Sequence, residues 1–380
     1  IGNDYQVASL SNCFVIGIDG SADSYGAIIK IDEEQVQLMK RRGGVGHDLS
    51  HIRPKGSPVK NSALTSTGLV PFMERYSNST REVAQDGRRG ALMLSVSIKH
   101  PDSEAFIDAK MTEGKVTGAN VSVKLDDAFM SAAVEGRKYT QQYPIDSDHP
   151  TTVKEIEASN LWKKIVHNAW KSAEPGVLFW DTIIRESVPD CYADLGYKTV
   201  STNPCGEIPL CPYDSCRLLA INLYSYVVNP FTKDAYFDFD LFHKHVALAQ
   251  RIMDDIIDLE LEKIERIIEK IDQDPENEEV KNTERDCGKR SIRRVVRDDV
   301  PVSVLQPKAI CLPLSECVME QKKRQSFQRK CTKQSLWALI VHQWIWPKNA
   351  EHSMYMTRKE KRTIRLSTAC AKPTRHCMRI

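Results

Sequence analysis

One short loop carries an unusual concentration of reactive side chains. Between residues 201 and 223 the chain places Asn203, Cys205, Glu207, Cys211 and Cys216. Prolines and a glycine interrupt the same stretch, which disfavours a helix or a regular strand. Irregular backbone with clustered reactive groups is more typical of a functional site than of a simple connection.

Asn203, Cys205 and Glu207 are spaced i, i+2 and i+4, so in an extended loop their side chains project to the same side. A carboxylate beside a thiol raises the pKa of that thiol, whereas nucleophilic cysteines need cationic neighbours. A neutral thiol beside a base suits hydrogen-atom chemistry, in which a sulfur radical takes the hydrogen atom and the carboxylate takes a hydroxyl proton. A structural loop with incidental cysteines remains the alternative for this triplet.

The other cysteines do not form a recognisable metal site. Five residues separate Cys205 from Cys211 and four separate Cys211 from Cys216, and no second Cys/His pair lies nearby. This spacing fits no common zinc motif, so we expect no metal and leave Cys211 as a packing residue. Cys13 falls on a predicted buried strand, where an inert apolar cysteine is the usual role. A thiol–disulfide oxidoreductase without nucleotide chemistry is a further alternative, although no Cys-x-x-Cys motif is present.

Strand and helix patterns alternate along the chain and predict the α/β class. We expect strands at 9–18, 91–97 and 121–125, and helices at 27–40, 65–85, 160–172, 237–271 and from 278. In the helix at 160–172, two apolar stripes recur at helical spacing and predict one broad buried face. Their residues are Leu161, Ile165, Ala169, Trp162, Val166 and Trp170.

Composition indicates a folded protein with a distinct tail. The chain has 380 residues, of which 41% are hydrophobic and 27% charged, enough for a sizeable core. It contains no run of eighteen apolar residues and no signal-peptide pattern, so we expect a cytoplasmic protein without membrane segments. Because it begins without Met, we expect a fragment of a longer protein.

Residues 287–380 depart from the rest of the chain, with 21 Lys and Arg against 6 Asp and Glu. A basic, aromatic-containing tail would suit a nucleic-acid-binding protein. The tail also lacks any sustained apolar period. Shifting its codons by one nucleotide permits a reading that continues the preceding helix into a Gly-Arg-Arg-Thr-Gly segment. We therefore interpret the tail as a translated frameshift, which the coding DNA would test.

Three motifs in order resemble a known family. They are Ser-Leu-Ser-Asn-Cys around Cys13, Asn-Pro-Cys-Gly-Glu around Cys205, and Ser-Cys-Arg-Leu-Leu-Ala-Ile-Asn-Leu around Cys216. Together they resemble the large catalytic subunit of ribonucleotide reductase over about residues 5–286, and most closely its adenosylcobalamin-dependent class. The resemblance implies radical reduction of ribonucleotides to 2′-deoxyribonucleotides.

The resemblance also implies roles for single residues. Cys205 matches the thiyl-radical cysteine, Glu207 the base on the 3′-hydroxyl, and Asn203 the amide that binds the reacting sugar. Cys13 and Cys216 match the dithiol that becomes a disulfide as the 2′-hydroxyl leaves. The implied substrate contacts are Asn12, Gly44, Ser201 and Thr202. The implied effector contacts are Ser21, Arg53, Lys60, Lys115 and Thr117, with Gly20 standing where relatives often have an acid.

The implied fold is a ten-stranded α/β barrel of the ribonucleotide reductase and glycyl-radical type with a central finger loop, here incomplete. We expect a partial barrel over 1–286, with the effector region at about 14–125 and the finger loop at 201–210. The implied cofactor is adenosylcobalamin, with dNTP or ATP as allosteric effector and a thioredoxin- or glutaredoxin-type reductant. A homodimer is also implied. A two-subunit enzyme with a metal-centred radical is the alternative within the family.

Overall fold

The computed structural model of the chain describes residues 8–17, 23–85, 88–187 and 189–293. Ser21, Gly20 and the tail from 294 onward lie outside the described residues. The chain divides into two compact units at residues 217/218 and 252/253. The first unit contains the sheet described below, and the second, at 218–252, has its own small apolar cluster around Leu223, Tyr226 and Phe237.

Short strands and longer helices alternate along the described residues of both units. The strands are β1 (Cys13–Val15), β2 (Gly44–Asp48), β3 (Ala84–Gln85), β4 (Arg88–Arg89), β5 (Leu92–Ser97), β6 (Asn120–Leu125), β7 (Lys138–Tyr143), β8 (Thr152–Glu157), β9 (Gly176–Phe179), β10 (Ser201–Thr202), β11 (Pro209–Leu210), β12 (Asp214–Cys216), β13 (Val227–Val228) and β14 (Tyr236–Phe237). The helices are α1 (Tyr25–Met39), α2 (Val70–Glu82), α3 (Ser103–Asp108), α4 (Asp127–Glu135), α5 (Ala158–Ser172), α6 (Trp180–Glu186), α7 (Phe239–Gln273) and α8 (Glu278–Arg293). No helix among the described residues has both the length and the apolar character needed to cross a membrane.

Six strands form one sheet in the order β12, β1, β2, β5, β6, β9. The five strands from β1 to β9 are parallel to one another, whereas β12 is antiparallel to β1. Parallel strands need crossover connections, and helices α1 to α5 lie in those connections. The α/β class predicted from the sequence is confirmed, and the six strands form part of a barrel.

The two faces of this sheet differ in chemistry because side chains alternate along each strand. One face carries Val45, Leu94 and Val123, which are fully buried in the main apolar cluster with residues of the helices. The opposite face, which we call the inner face, carries mainly small and polar residues. These are Cys13, Val15, Gly44, Gly46, Asp48, Met93, Ser95, Asn120, Ser122 and Lys124.

Helix α5 buries only one of its two apolar stripes. Leu161 and Ile165 are buried, whereas Trp170 is 81% exposed and Val166 is 50% exposed. About one turn after Ile165, Asn168 is also buried, and its Nδ2 donates to the Ile107 carbonyl at 3.2 Å. The expectation of one broad buried face was therefore wrong. The neighbouring elements cover only the stripe that contains Leu161 and Ile165, and this stripe also includes the polar Asn168.

His47 is the centre of a buried polar group on the apolar face of the sheet. Its Nε2 contacts Gln35 Oε1 at 3.2 Å, and Gln35 donates to the Tyr76 carbonyl at 2.9 Å and to Thr80 Oγ1 at 3.1 Å. Nδ1 of His47 has no hydrogen-bond partner in the described structure. Burial lowers the pKa of His47 to about 3, and the charge of His51 contributes in the same direction.

Acid should therefore weaken the fold through His47. Between about pH 6.5 and pH 3 the unfolded chain binds a proton that the folded chain does not, so the free energy of unfolding falls as the pH falls. The expected contribution is about 1.4 kcal/mol per pH unit. Urea unfolding at several pH values should show a shallower dependence for His47→Gln, whereas a variant at the exposed His149 should keep it. Equal pH dependence in His47→Gln and the parent would contradict this assignment.

Candidate active site

The loop predicted to carry the chemistry folds as a short hairpin on the inner face. Strands β10 and β11 pair antiparallel, with Ser201 opposite Leu210. At its tip the Asn203 N–H donates to the Ile208 carbonyl at 3.1 Å, and the Gly206 N–H donates to the Asn203 carbonyl at 3.0 Å. Gly206 has a φ of +83°, a backbone conformation that side chains disfavour. We call residues 200–210 the finger hairpin.

Two glycines of β2 make room for the finger hairpin. A Cβ on Gly46 would lie 1.8 Å from the carbonyl oxygen of Thr202, and one on Gly44 would lie 2.7 Å from Cγ of Pro204. Real Cβ atoms do not approach other atoms this closely, so β2 accepts the hairpin only because both positions lack side chains. The backbone of the hairpin is thus in direct contact with the sheet.

The Asn203 side chain joins the hairpin to the first strand. Its Nδ2 donates to Cys13 Sγ at 3.4 Å, and its Oδ1 accepts the Ile208 N–H at 3.0 Å. The residue is fully buried. Both ends of the amide are therefore engaged, one by the hairpin itself and the other by a thiol of β1.

Cys13 and Cys216 lie directly opposite each other in the antiparallel pair of β1 and β12. Opposed residues in such a pair have Cα atoms about 4.5–5.5 Å apart, within the range that a disulfide requires. Both side chains are buried, beside Ile208 and Leu210 of the hairpin. The fold thus brings together two cysteines that are far apart in the sequence.

The electrostatic environment keeps Cys216 protonated. Burial raises the pKa of its thiol, and the nearby groups Cys13, Asp214 and Glu207 raise it further, with Arg217 acting in the opposite direction. The Cys216 thiol is consequently neutral, and it is buried together with Cys13.

Cys205 differs from this pair because it is exposed at the tip of the finger hairpin. Glu207 is half-buried, two residues further along. Asn203, Cys205 and Glu207 therefore share one turn. The amide of Asn203 contacts the buried dithiol through Cys13, whereas the thiol of Cys205 is exposed. This arrangement can expose one sulfur to a reactant and offer it two further thiols as reductants.

Comparison with known proteins identifies the family. A family model described as the barrel domain of ribonucleotide reductase matches residues 11–274. The chain belongs to the ribonucleotide reductase family. The resemblance inferred from the three cysteine motifs is confirmed.

Several curated ribonucleotide reductases are similar to this chain. The vitamin B12-dependent ribonucleoside-diphosphate reductase of Thermoplasma acidophilum is 36% identical over 267 residues, covering 69% of this chain and 33% of that protein. The vitamin B12-dependent enzyme of Mycobacterium tuberculosis is 33% identical, covering 66% of this chain and 34% of that protein. The ribonucleoside-diphosphate reductase subunit alpha of Chlamydia trachomatis is 23% identical over 287 residues, covering 66% of this chain and 26% of that protein. The chain thus spans about a third of the length of the first two relatives.

The residues that the family resemblance predicts to bind substrate fall into two groups. Asn12 is exposed, and its carbonyl accepts the N–H of Gly44 at 2.8 Å, so both lie at the hairpin tip. Ser201 and Thr202 are buried within the hairpin. The hydroxyl of Ser201 contacts Ser95 Oγ at 2.9 Å, while Thr202 Oγ1 has no partner among the described atoms. Of these four residues, Gly44 lies against Pro204, which precedes Cys205, and Asn12 is hydrogen-bonded to Gly44.

The two cations predicted to bind effector phosphates lie in the loop after β2. Arg53 forms an ion pair with Asp23, with Nε 2.5 Å from Oδ2, and also donates to the Pro58 carbonyl at 2.6 Å. Lys60 is exposed in the same loop. Arg53 is thus oriented by two protein contacts, whereas Lys60 projects toward solvent.

The other predicted effector contacts lie in the loop before β6. Lys115 pairs with Glu74 at 2.9 Å, and Thr117 accepts a hydrogen bond from Arg81 at 3.0 Å. Both partners belong to α2. Within the described residues no hydrogen bond or ion pair connects these two with Arg53 or Lys60.

Sequence reasoning missed residues that hold the site from outside its motifs. Glu260 of α7 accepts hydrogen bonds from Ser9, from the Leu10 N–H and from Ser11, the last at 3.3 Å, and so fixes the segment before Cys13. Asn120 Nδ2 donates to the Pro204 carbonyl at 2.8 Å. The sequence did not single out Glu260, because it is one of many charged residues in a long helix. Asn120 was visible only as the end of a polar loop.

We expect mild oxidation of the folded chain to join Cys13 to Cys216. Their opposed positions meet the geometric requirement of a disulfide without backbone movement. Non-reducing peptide mapping should find this crosslink in the parent and in Cys211→Ser, and should find none involving Cys216 in Cys13→Ser. A predominant disulfide between other cysteines of residues 8–293 would contradict the pairing.

Gly46→Ala should displace the finger hairpin, because the new Cβ would overlap the Thr202 carbonyl. Overpacking of this kind costs about 1–3 kcal/mol of unfolding free energy, or more where only backbone can move. Gly26→Ala is the matched control, since a Cβ there meets no atom within 4 Å. Denaturant unfolding checks both variants, and equal stability of Gly46→Ala and Gly26→Ala would exclude the close approach.

Proposed function

We propose that this chain is part of a radical ribonucleotide reductase that converts ribonucleotides to 2′-deoxyribonucleotides. The observation that carries the proposal is the pairing of Cys13 with Cys216, with Asn203 linking this dithiol to the loop of Cys205. A nucleic-acid-binding protein is not favoured, because the reductase family match covers residues 11–274.

In the proposed reaction a thiyl radical at Cys205 removes the 3′-hydrogen of the ribose. The carboxylate of Glu207 takes the proton of the 3′-hydroxyl, which increases electron density at the sugar and favours loss of the 2′-hydroxyl. Asn203 holds the sugar through its amide. The exposure of Cys205 and the shared turn of the three residues support these roles.

The dithiol supplies the electrons for the second half of the reaction. The 2′-hydroxyl leaves as water, and Cys13 and Cys216 together give two electrons and two protons as their sulfurs form one disulfide. The 3′-hydrogen returns from Cys205, which regenerates the thiyl radical. An external dithiol of the thioredoxin or glutaredoxin type would then reduce the disulfide.

Adenosylcobalamin is the proposed cofactor, since two of the relatives above are named vitamin B12-dependent. When bound, it would supply the one-electron oxidant that removes the hydrogen atom from the Cys205 thiol. The residues present fit this role, because Cys205 is exposed while the dithiol is buried. A metal-radical partner subunit is the second candidate, supported by the relative named as a subunit alpha.

Allosteric control by a dNTP or ATP is a further part of the proposal. Arg53 and Lys60 would contact the effector phosphates, and Lys115 and Thr117 would contact the effector through the loop before β6. The ion pair that holds Arg53 in place supports a preorganised phosphate contact. A homodimer remains a prediction from the family resemblance, and a cytoplasmic location remains a prediction from the sequence.

A hybrid enzyme tests the catalytic assignment without depending on the tail. Residues 11–274 would replace the matching segment of the Thermoplasma acidophilum relative, and deoxyribonucleotide formation would be measured with a ribonucleoside diphosphate, adenosylcobalamin and a dithiol. We expect activity in the hybrid, loss of activity to the detection limit in Cys205→Ala, and retention in the control Cys211→Ala. Activity that persists in Cys205→Ala, or that needs no cobalamin, would contradict the corresponding part of the proposal.

A further inference from the structure

A buried ion pair lies on the inner face of the sheet, under the base of the finger hairpin. Lys124 Nζ is 2.8 Å from Asp48 Oδ1, and the two side chains are 7% and 13% exposed. Asp48 is the last residue of β2 and Lys124 is near the end of β6, so the pair spans β5 between them. None of the cysteine motifs includes either residue.

Both members of the pair are connected to the hairpin by hydrogen bonds. Lys124 Nζ donates to the Val200 carbonyl at 3.2 Å. Ser95 on the strand between them donates to Asp48 Oδ1 at 3.0 Å, and its hydroxyl also contacts Ser201 Oγ at 2.9 Å. Two consecutive residues of the hairpin base are therefore connected to the ion pair. Val200 is bonded to Lys124 directly, and Ser201 is linked to Asp48 through Ser95.

Further contacts fix the orientation of the Asp48 and Lys124 side chains. The Ser50 N–H donates to the second oxygen of Asp48 at 3.1 Å, and the ring of Trp180 lies 4.4 Å from Lys124 Nζ. Although burial alone would raise the pKa of Asp48, the charge and hydrogen bond of Lys124 lower it, so the carboxylate stays ionised. Two buried charges rarely increase stability over an apolar pair of similar volume. An apolar pair could not make the hydrogen bonds that Lys124 and Asp48 form with Val200 and Ser95.

We propose that Asp48 and Lys124 are positioning residues for Cys205. They fix the base of the finger hairpin, while Asn120 and Asn203 hold its tip, so the depth of the hairpin on the sheet is set from both ends. That Cys205 is the radical cysteine rests on the proposed function. The placement of its loop by the ion pair does not, and it can be tested without turnover.

The test compares removal of single contacts in the full chain. Ser95→Ala and Ser201→Ala each remove the hydroxyl bridge and leave both charges paired, and Lys124→Met removes the cation. Ser122→Ala is the matched control, because Ser122 is a buried serine on the same face that makes no hydrogen bond to the hairpin in the described part of the chain. Lys164→Met is the control for loss of a cation, since Lys164 pairs with Glu104 and Asp108 away from the hairpin.

Two readouts separate positioning from general stability. The first is the rate at which iodoacetamide alkylates Cys205, divided by the rate at the exposed Cys191, both measured by mass spectrometry. The second is amide hydrogen exchange in residues 199–210 compared with exchange in β5 and β6. Loss of one hydrogen bond corresponds to about a fivefold change in a local opening equilibrium.

We expect Ser95→Ala and Ser201→Ala to change the Cys205 alkylation ratio and to raise exchange in 199–210 about fivefold, with β5 and β6 unchanged. Lys124→Met should produce a larger effect in the same residues, because it leaves Asp48 buried without its cation. The two control variants should match the parent. Equal acceleration throughout the sheet would show a structural role only, and an unchanged hairpin in Ser95→Ala and Ser201→Ala would overturn the proposal.

Discussion

The close approach between the finger hairpin and β2 determines much of the site. At Gly46 the hairpin backbone occupies the space in which a Cβ would lie, and at Gly44 the ring of Pro204 does the same. Backbone in such contact is excluded from water, so its polar groups need partners within the protein. The position of Cys205 therefore follows from backbone contact with the sheet and from the side chains that satisfy that backbone.

Those partners explain why the inner face of the sheet is polar. The carbonyl of Val200 is satisfied by Lys124 and that of Pro204 by Asn120. Desolvated polar groups contribute little net stability when paired and cost about 1–3 kcal/mol when left unpaired. The stability of the unit must then come mainly from the apolar face, where Val45, Leu94 and Val123 are fully buried beneath the helices. The apolar face of the sheet supplies most of the stability, and the inner face supplies the hydrogen bonds that orient the finger hairpin.

Local sequence signals predicted several elements of this fold, but they missed β2 and did not predict how the strands pair. The prolines and glycine around Cys205 predicted a loop, and apolar spacing located α7 and β5 close to their observed bounds. The register of Cys13 against Cys216 depends on where β12 joins the sheet, which only the family resemblance anticipated. Periodicity likewise could not tell which stripe of α5 would be covered, so Trp170 was placed in the core although it is exposed. The sequence did not indicate that Lys124 is buried, because a lysine on an alternating strand ordinarily faces solvent.

The contrast between the three thiols has a chemical consequence. Thiolates, not thiols, attack disulfides and react with oxidants, and burial together with Asp214 and Glu207 raises the pKa of Cys216. The buried, neutral Cys216 thiol is therefore less reactive toward thiol reagents than Cys205, which is exposed on the hairpin. The pair can still be oxidised to a disulfide, provided that each electron leaves with a proton. Burial thus slows oxidation of the pair but does not prevent it, and the opposed positions of Cys13 and Cys216 direct it to a disulfide between the two.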